Sequence, residues 1–497
     1  MIEEVKVKLK NHSYVHVECN GGTAMELNEY FSFFAPGYKF MPAFKNKVWD
    51  GKIRLFNSKT RELYAGLAPY IEAFCSEEGR DYKFVGDEAL TGKHEVDLDF
   101  LSSLKVSAGG KAIEPRDYQS LAVVHALTEK RSLLLSPTAS GKSLIIYFMM
   151  RYYLEKFDKK VLIIVPTTSL VSQMKGDFVD YSEFDANFNA DDIHAITAGI
   201  DKDTHHRVTV TTWQSIQRLP ANHPLLKSAG MVIGDEAHGF KGKALSDIMC
   251  RLTDCEFRVG TTGTLDGSNV HQLVLEGLFG KVYKVTTTKE LMDQGSLADL
   301  DINILLTKYN EQTRKAFGKK TYQEEIDFIV AHEGRNKFIS NLALDLDGNT
   351  LVLFNYVEKH GKPLHSLIKS KAADGRHIFY VSGETKGDVR EDVRRITEGE
   401  KNAVIVASLG VFSTGVNIKN IHNIIFASPS KSQVRVLQSI GRGLRKSDDG
   451  RKTKLFDLAD DLSWKSRSNY TLKHAAERIQ IYSKQNFTFV THEVPIV

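Results

Sequence analysis

Cysteine is scarce: Cys19, Cys75, Cys250 and Cys255 are the only four in 497 residues, with no CxxC pair and no His run at zinc-ligand spacing. That excludes a disulfide framework and points to a reducing compartment without structural zinc. Eleven prolines leave no Pro-rich linker, and no repeat or low-complexity tract appears. Nowhere does the chain sustain the roughly 18 consecutive apolar residues of a membrane span. The opening MIEEVKVKLK alternates apolar residues with Lys where a signal peptide has an unbroken apolar core, so neither export nor membrane insertion is expected. One-signed charge is lacking too. Lys and Arg number 66 against 62 Asp and Glu, and a net charge of +4 is too small to argue by itself for nucleic acid.

What is present is ordinary globular material, 42% hydrophobic and 26% charged, which excludes a disordered or collagen-like chain. The length exceeds one hydrophobic core, and about 150 residues per domain suggests about three domains. Val5, Val7 and Leu9 alternate with Lys, Asn11-His12-Ser13 is a polar turn, and Tyr14, Val15 and Val17 resume, which predicts a hairpin. From about residue 115 short apolar strands, LLL (133–135), VLIIV (161–165), VTVT (208–211) and MVIG (231–234), alternate with helix-length segments. The rhythm restarts after about residue 345 with TLVLF, HIFYV, AVIVA, NIIFA and TKLFDL. The fold class expected is therefore α/β, two tandem doubly wound parallel-sheet lobes with a small N-terminal α/β domain and C-terminal helices. The divisions read are 1–95, 96–290 and 291–497, with a polar helical connector over residues 285–340. Residues 470–482 predict a terminal helix packing Leu472, Ala475, Ile479 and Tyr482 inward.

Directly after LLL stands SPTASGKS (136–143), followed by an apolar helical run. In GxxxxGK[ST], loop amides cradle phosphates, Lys142 reaches the β/γ-phosphates and Ser143 binds Mg²⁺. Ser136 replaces the first glycine of that pattern, so a chance GKS is the bland alternative, but strand and helix flank it correctly. MVIGDEAH then places two acids at a strand end: Asp235 as metal ligand and Glu236 as base, with His238 beside them. Helix capping would account for one acid only.

These residues resemble a superfamily 2 helicase or translocase of the DEAH-box lettering, related to RecG-like and restriction-type DNA motors. Further motifs follow in order: EPRDYQ with Arg116 and the adenine-reading Gln119, PTTSLVSQ (166–173), TTWQS (211–215), GTTGT (260–264), SLGVFSTGVN (408–417) and QSIGRGLR (438–445). Singly each has an innocent reading as a cap, strand end or basic turn; ordered over some 330 residues they act together. The resemblance implies ATP and Mg²⁺ as cofactors and two tandem RecA-like lobes closing on the nucleotide. It implies nucleotide contacts from Arg116, Gln119, Pro137, Thr138, Ala139, Ser140, Gly141, Lys142, Ser143, Gly415 and Asn417, the last standing where many members have Asp. Catalysis would rest on Lys142, Asp235, Glu236, Gln438, Arg442 and Arg445, with Ser143 and Asp235 on the metal. His238, Thr262 and Thr264 would couple the steps, and Pro166, Thr167, Thr212, Trp213, Gln214, Ser382, Ser408 and Thr414 would touch nucleic acid.

The N-terminal segment FFAPGYKFMPAFKNKVWDGKIRLF (33–56) interleaves Tyr38, Phe40, Phe44, Trp49 and Phe56 with basic residues, and Asp50-Gly51 looks like a hairpin turn. Lys45, Lys47, Lys52 and Arg54 are expected to attract phosphate, the alternative being a solvated charged face over an aromatic core. With the motor, this arrangement is similar to the recombination helicases of large tailed phages. That implies a DNA helicase remodelling forks, junctions and R-loops in recombination, repair and replication, moving 3′ to 5′, in the host-cell cytoplasm if phage-encoded. DNA, especially at duplex to single-strand junctions, is the expected partner, with RNA-DNA hybrids second; the alternative is an RNA helicase or hybrid-unwinding enzyme.

Overall fold

The computed structural model describes residues 4–84, 92–197, 199–202, 205–265, 268–317, 320–414, 418, 420–428, 440 and 451–496. The chain divides into two compact units, Met1–Ser136 with Gly141–Val285, and Pro137–Ser140 with Thr286–Val497.

The first unit opens on the hairpin that the alternation predicts, β1 (Glu4–Asn11) against β2 (Tyr14–Glu18). Asn11 Oδ1 closes its turn by accepting from the amides of Ser13 and Tyr14 at 2.8 and 3.0 Å. Period-two alternation puts Val5, Val7, Val15 and Val17 on one buried face. Next come β3 (Ser32–Phe34), β4 (Lys52–Arg54), β5 (Phe56–Asn57), β6 (Glu62–Tyr64) and β7 (Asp81–Phe84). The sheet order is β5-β6-β2-β1-β7, with β3 and β4 paired separately. Asp50-Gly51 is not a hairpin turn: it ends an excursion that joins β3 to β4 over residues 35–51. Gly51 is required there by close approach, since its φ is +83° and a Cβ would lie 2.4 Å from the Tyr38 ring.

This small sheet shares its core with the lobe that follows. Val7, Leu27, Leu63, Leu67 and Phe74 belong to one buried cluster with Leu133, Ile248, Leu275 and Phe279. Two arginines fasten the β1–β2 turn: Arg258 donates to Ser13 Oγ at 2.8 Å and Arg131 donates to the His12 carbonyl. Burial, with Arg258 nearby, pulls the Arg131 pKa down to about 9.

After the hairpin β8 (Val106–Ala108) and β9 (Lys111–Ile113), lobe one is built on seven parallel strands. They are β10 (Arg131–Leu135), β11 (Lys160–Val165), β12 (Ile193–Ile196), β13 (Val208–Thr212), β14 (Ala229–Asp235), β15 (Phe257–Thr262) and β16 (Val282–Lys284), in the order β12-β13-β11-β14-β15-β10-β16. Helices cover both faces, so central strands such as β14 are buried throughout and read as unbroken apolar runs.

Lobe two repeats the plan with β17 (Leu300–Lys308), β18 (Thr350–Phe354), β19 (Ile378–Val381), β20 (Val404–Ser408), β21 (Asn423–Phe426), β22 (Thr453–Asp461) and β23 (Phe489–Pro495). Their order is β19-β20-β18-β21-β22-β17-β23, all parallel. The expected polar connector is thus corrected: β17 lies within it and pairs with β22, because LDINILLTK carries enough apolar residues to be buried on the sheet. The terminal helix spans Tyr470–Lys484, but its buried face is Thr471, Ala475, Arg478, Ile481 and Tyr482; Leu472 and Ile479 are only half-buried. An ion pair turns the helix. Arg478 donates to Asp457 of β22 at 2.7 Å and Tyr482 donates to the same carboxylate at 2.8 Å. On the opposite face of β22, Asp460 accepts from Arg335 at 2.6 Å and from Tyr309 at 2.8 Å, as the odd spacing of the two acids requires.

Candidate nucleotide and nucleic-acid site

In a parallel sheet the loops beyond the carboxyl ends of the strands converge, and that is where lobe one places its motifs. SPTASGKS follows β10, PTTSLVSQ follows β11, TTWQS bridges the end of β13, DEAH the end of β14 and GTTGT the end of β15. Five segments scattered along the sequence thereby share one edge.

The expected phosphate loop turns sharply between β10 and the helix that follows. Ala139 and Gly141 both take left-handed φ values, +66° and +79°, and the helix Lys142–Lys156 begins at once. Within the loop Ser140 Oγ donates to the Pro137 carbonyl at 2.7 Å, and Lys142 Nζ donates to the Ser136 carbonyl at 3.2 Å. Thr138 is half-buried in this loop. Gln119 is buried against it. A Cβ on Gly141 would stand 2.2 Å from Gln119 Nε2, so only glycine admits the glutamine, which Arg116 fixes by donating its backbone amide to Gln119 Oε1 at 2.8 Å. The Arg116 side chain reaches the Tyr118 hydroxyl at 2.9 Å.

Asp235 ends β14 buried, and Thr261 Oγ1 donates to it at 2.8 Å. Burial and the neighbouring Glu236 push its carboxyl above the usual carboxylate range, while the Lys142 ammonium pulls it back. Glu236 adopts φ +50°, a left-handed conformation that costs a non-glycine residue about 1–3 kcal/mol and clusters at functional sites. That turn aims Glu236 at His238, whose Nδ1 lies 3.3 Å from Glu236 Oε2 and 3.1 Å from Thr262 Oγ1. Thr262 in turn donates to the Thr264 carbonyl at 3.0 Å. His238, Thr262 and Thr264, the residues expected to couple, therefore form a contact chain starting at Glu236.

A cleft of about 330 Å³ opens beside these acids. Its walls include Asp235 and Glu236, Phe240 and Leu245, and also Pro166 and Trp213. Thr167 caps the helix Thr168–Ser182, accepting from the Leu170 amide at 3.3 Å. Thr212 shares a hydrogen bond of 3.1 Å with Ser215, and Gln214 is exposed next to Trp213. Lobe two keeps Ser382, just after β19, and Ser408, at the end of β20, buried; Thr414 closes the helix Leu409–Thr414. Gly415, Asn417, Gln438, Arg442 and Arg445 lie outside the described residues.

The N-terminal cations divide. Lys52 pairs with Glu29, and Arg54 pairs with Asp50, holding that carboxyl down at about 2. Lys45 and Lys47 are exposed, with no acid pairing with them among the described residues.

One residue of the cluster carries no sequence signal. Ser143 Oγ is hydrogen-bonded at 2.8 Å to the hydroxyl of Tyr181, in the last turn of the helix that Thr167 caps. The Tyr181 ring packs edge-on against Tyr147 at 5.7 Å, and burial pushes its hydroxyl up to about 12. A buried ion pair anchors this end of the helix: Asp185 accepts from Arg151 at 3.3 Å and from Tyr147 at 3.0 Å.

Comparison with known proteins follows the same division of the chain. Family models match for DNA helicase UvsW, N-terminal, over residues 4–87, for type III restriction enzyme, res subunit, over 112–267, and for the helicase conserved C-terminal domain over 334–447. The chain is 38% identical over 512 residues to the ATP-dependent DNA helicase uvsW of Enterobacteria phage T4, covering 99% of each. It is 25% identical to the DNA 3′-5′ translocase XPB2 of Sulfurisphaera tokodaii, over 74% of this chain and 87% of that one. The crystal structure of T4 UvsW superposes with a TM-score of 0.52 at 37% identity, covering 99% of this chain and all of that one.

Proposed function

The chain belongs to the UvsW family of ATP-dependent DNA helicases, and from that premise we propose that it turns over MgATP on lobe one to move 3′ to 5′ along DNA and remodel forks, junctions and R-loops. The observation that carries the reading is the lobe-one cleft, in which Asp235 and Glu236 share walls with Pro166 and Trp213. A nucleic-acid strand lying on Pro166, Thr167, Thr212 and Trp213 would sit against the same turn that holds the hydrolytic acid. The translocase similarity of the archaeal relative supports the direction of travel.

Lys142 holds the β/γ-phosphates as a point charge and the loop amides cradle them. The donor set, a Ser143 hydroxyl and an Asp235 carboxylate buried beside Glu236, suits a hard divalent cation, whose charge would offset the repulsion between the two acids. When bound, Mg²⁺ supplies charge neutralisation on the phosphate oxygens. Glu236 orients and deprotonates the attacking water, and His238 carries its position to Thr262. Gln438, Arg442 and Arg445 are assigned to the charge developing on the γ-phosphoryl group, and Gly415 and Asn417 to the nucleotide.

Glu236→Gln keeps the shape and removes the base, so it is expected to bind MgATP normally and to lower turnover by about 10²–10⁴-fold. Turnover is measured with forks, four-way junctions, RNA-DNA hybrids, single-stranded RNA and linear duplex. Greatest stimulation of the unaltered protein by branched DNA is expected; greatest stimulation by single-stranded RNA would replace the proposal with an RNA helicase. Tyr181→Phe preserves the ring packing and removes one hydrogen bond to Ser143, worth about 1 kcal/mol. It is expected to raise the Mg²⁺ concentration needed for half-maximal nucleotide binding by about three- to tenfold, read by titration with a fluorescent ATP analogue. An unchanged Mg²⁺ dependence would make Tyr181 a packing residue only.

A further inference from the structure

The excursion between β3 and β4 sorts its apolar residues into two sets. Tyr38 stacks on Phe34 at 4.6 Å, Phe44 meets Tyr38 edge-on at 4.8 Å, and Trp49 Nε1 donates to the Lys52 carbonyl at 2.9 Å. These contacts leave Tyr38, Phe44 and Trp49 half-buried and Phe34 still 51% exposed. The second set is exposed. Phe40 is 80% exposed, Val48 81% and Met41 39%. Phe40 ends the turn Tyr38–Phe40, Met41 opens the helical turn Pro42–Lys45, and Val48 returns to it through a hydrogen bond from its amide to the Ala43 carbonyl at 2.9 Å. Lys47, just before Val48, is held at φ +56°, so the chain accepts strain to make this bend.

Isolated exposed apolar residues need no explanation, but three within nine residues of one excursion do. The charge around them indicates the occupant. Lys39, Lys45 and Lys47 are exposed and pair with no acid among the described residues, while the nearby acids Asp50 and Glu29 are taken by Arg54 and Lys52. Protein interfaces are depleted in lysine at their centres, whereas single-stranded nucleic acid is bound by an exposed aromatic face flanked by cations that follow the backbone.

We propose that this tip is a nucleic-acid contact, with Phe40 stacking on an unpaired base, Met41 and Val48 packing beside it, and Lys39, Lys45 and Lys47 holding the flanking phosphates. The site rests on the helicase reading and deepens it: the ligand is a strand with unstacked bases, as at the mouth of a fork, and not the interior of a duplex, where no base face is free.

The test uses the full chain without nucleotide, a fork with 2-aminopurine at its first unpaired position, and a blunt duplex of the same length. Phe40→Ala combined with Val48→Ser is expected to weaken fork binding about tenfold and remove the aminopurine quench, leaving duplex binding within about twofold. Phe40→Trp should retain both affinity and quench, which a merely structural residue would not require. Lys39→Gln, Lys45→Gln and Lys47→Gln together should flatten the salt slope by about two, at about 0.7 per neutralised single-strand phosphate. Unchanged fork affinity and quench in the Phe40→Ala, Val48→Ser variant would overturn the proposal. So would a drop in sedimenting mass on that substitution, which would identify the occupant as a second copy of the chain. Failure of the helicase reading is distinguishable, because it would appear as ATP turnover of the unaltered protein that no DNA stimulates.

Discussion

Lys142→Ala is expected to lower ATP turnover by at least about 10²–10³-fold, the effect of deleting one charged group from where negative charge gathers in the transition state. The substitution is expected to leave the fold intact. Lys142 is the first residue of its helix and only half-buried, and among its interactions is a hydrogen bond to a backbone carbonyl, that of Ser136. Nucleotide-free binding to forked DNA should persist, because none of Pro166, Thr167, Thr212, Trp213 or the N-terminal tip depends on this ammonium. Two measurements therefore separate: phosphate release at saturating ATP, and fork affinity by anisotropy. Turnover within a few-fold of the unaltered protein would remove the phosphate loop from the mechanism. A parallel collapse of fork binding would mean that Lys142 supports the lobe and not the nucleotide.

Asp460→Ala is expected to destabilise lobe two by about 3–5 kcal/mol, because it leaves the Arg335 guanidinium buried without a counter-charge. Both side chains are fully buried. The carboxylate also accepts from Tyr309 at 2.8 Å and Thr307 at 3.0 Å, and of these Thr307 keeps the Ala459 carbonyl as a second acceptor at 3.3 Å. Burial pushes the Asp460 carboxyl up, but Arg335 and these hydrogen bonds bring it below its ordinary value. A depressed acid stabilises the fold above its unfolded pKa, so this contribution is complete above about pH 4 and is lost as the pH falls further. Denaturant unfolding of the full chain at neutral pH measures the loss. Replacing both residues with Leu should recover much of it, since an apolar pair of similar volume leaves no unpaired charge. A loss below about 0.5 kcal/mol for Asp460→Ala would show that water reaches Arg335.

Asp457 and Asp460 illustrate why part of the molecule was hidden. TKLFDL reads as an apolar strand, which assigns the acids in and after it no role, yet Asp457 and Asp460 are both buried and each bolts a partner to one face of β22. An acid inside an apolar strand run is the signal that was available, though without the identity of its partner. Arg478 then rotates the terminal helix by about one residue from the face that apolar spacing alone selects, because the ion pair outweighs the half-burial of Leu472 and Ile479. The strand β17 was lost inside a stretch read as connector for a related reason. A strand at this position is specified by its neighbours β22 and β23, far along the chain.

The sequence by itself determined the two α/β lobes, the N-terminal hairpin and the order of the motifs from Gln119 to GRGLR. Each is written in residues close to one another, as strand-length apolar runs, turn residues and short loops whose chemistry is local. Only the tertiary structure decided which distant residues complete them. Tyr181 reaches Ser143 from 38 residues away, Arg258 grips Ser13 across 245, and Arg335 finds Asp460 across 125. Periodicity reports which face a residue takes, not what it meets there. The N-terminal tip makes the same point. Tyr38, Phe40, Phe44 and Trp49 are equivalent aromatics among lysines until packing half-buries three and leaves Phe40 in water.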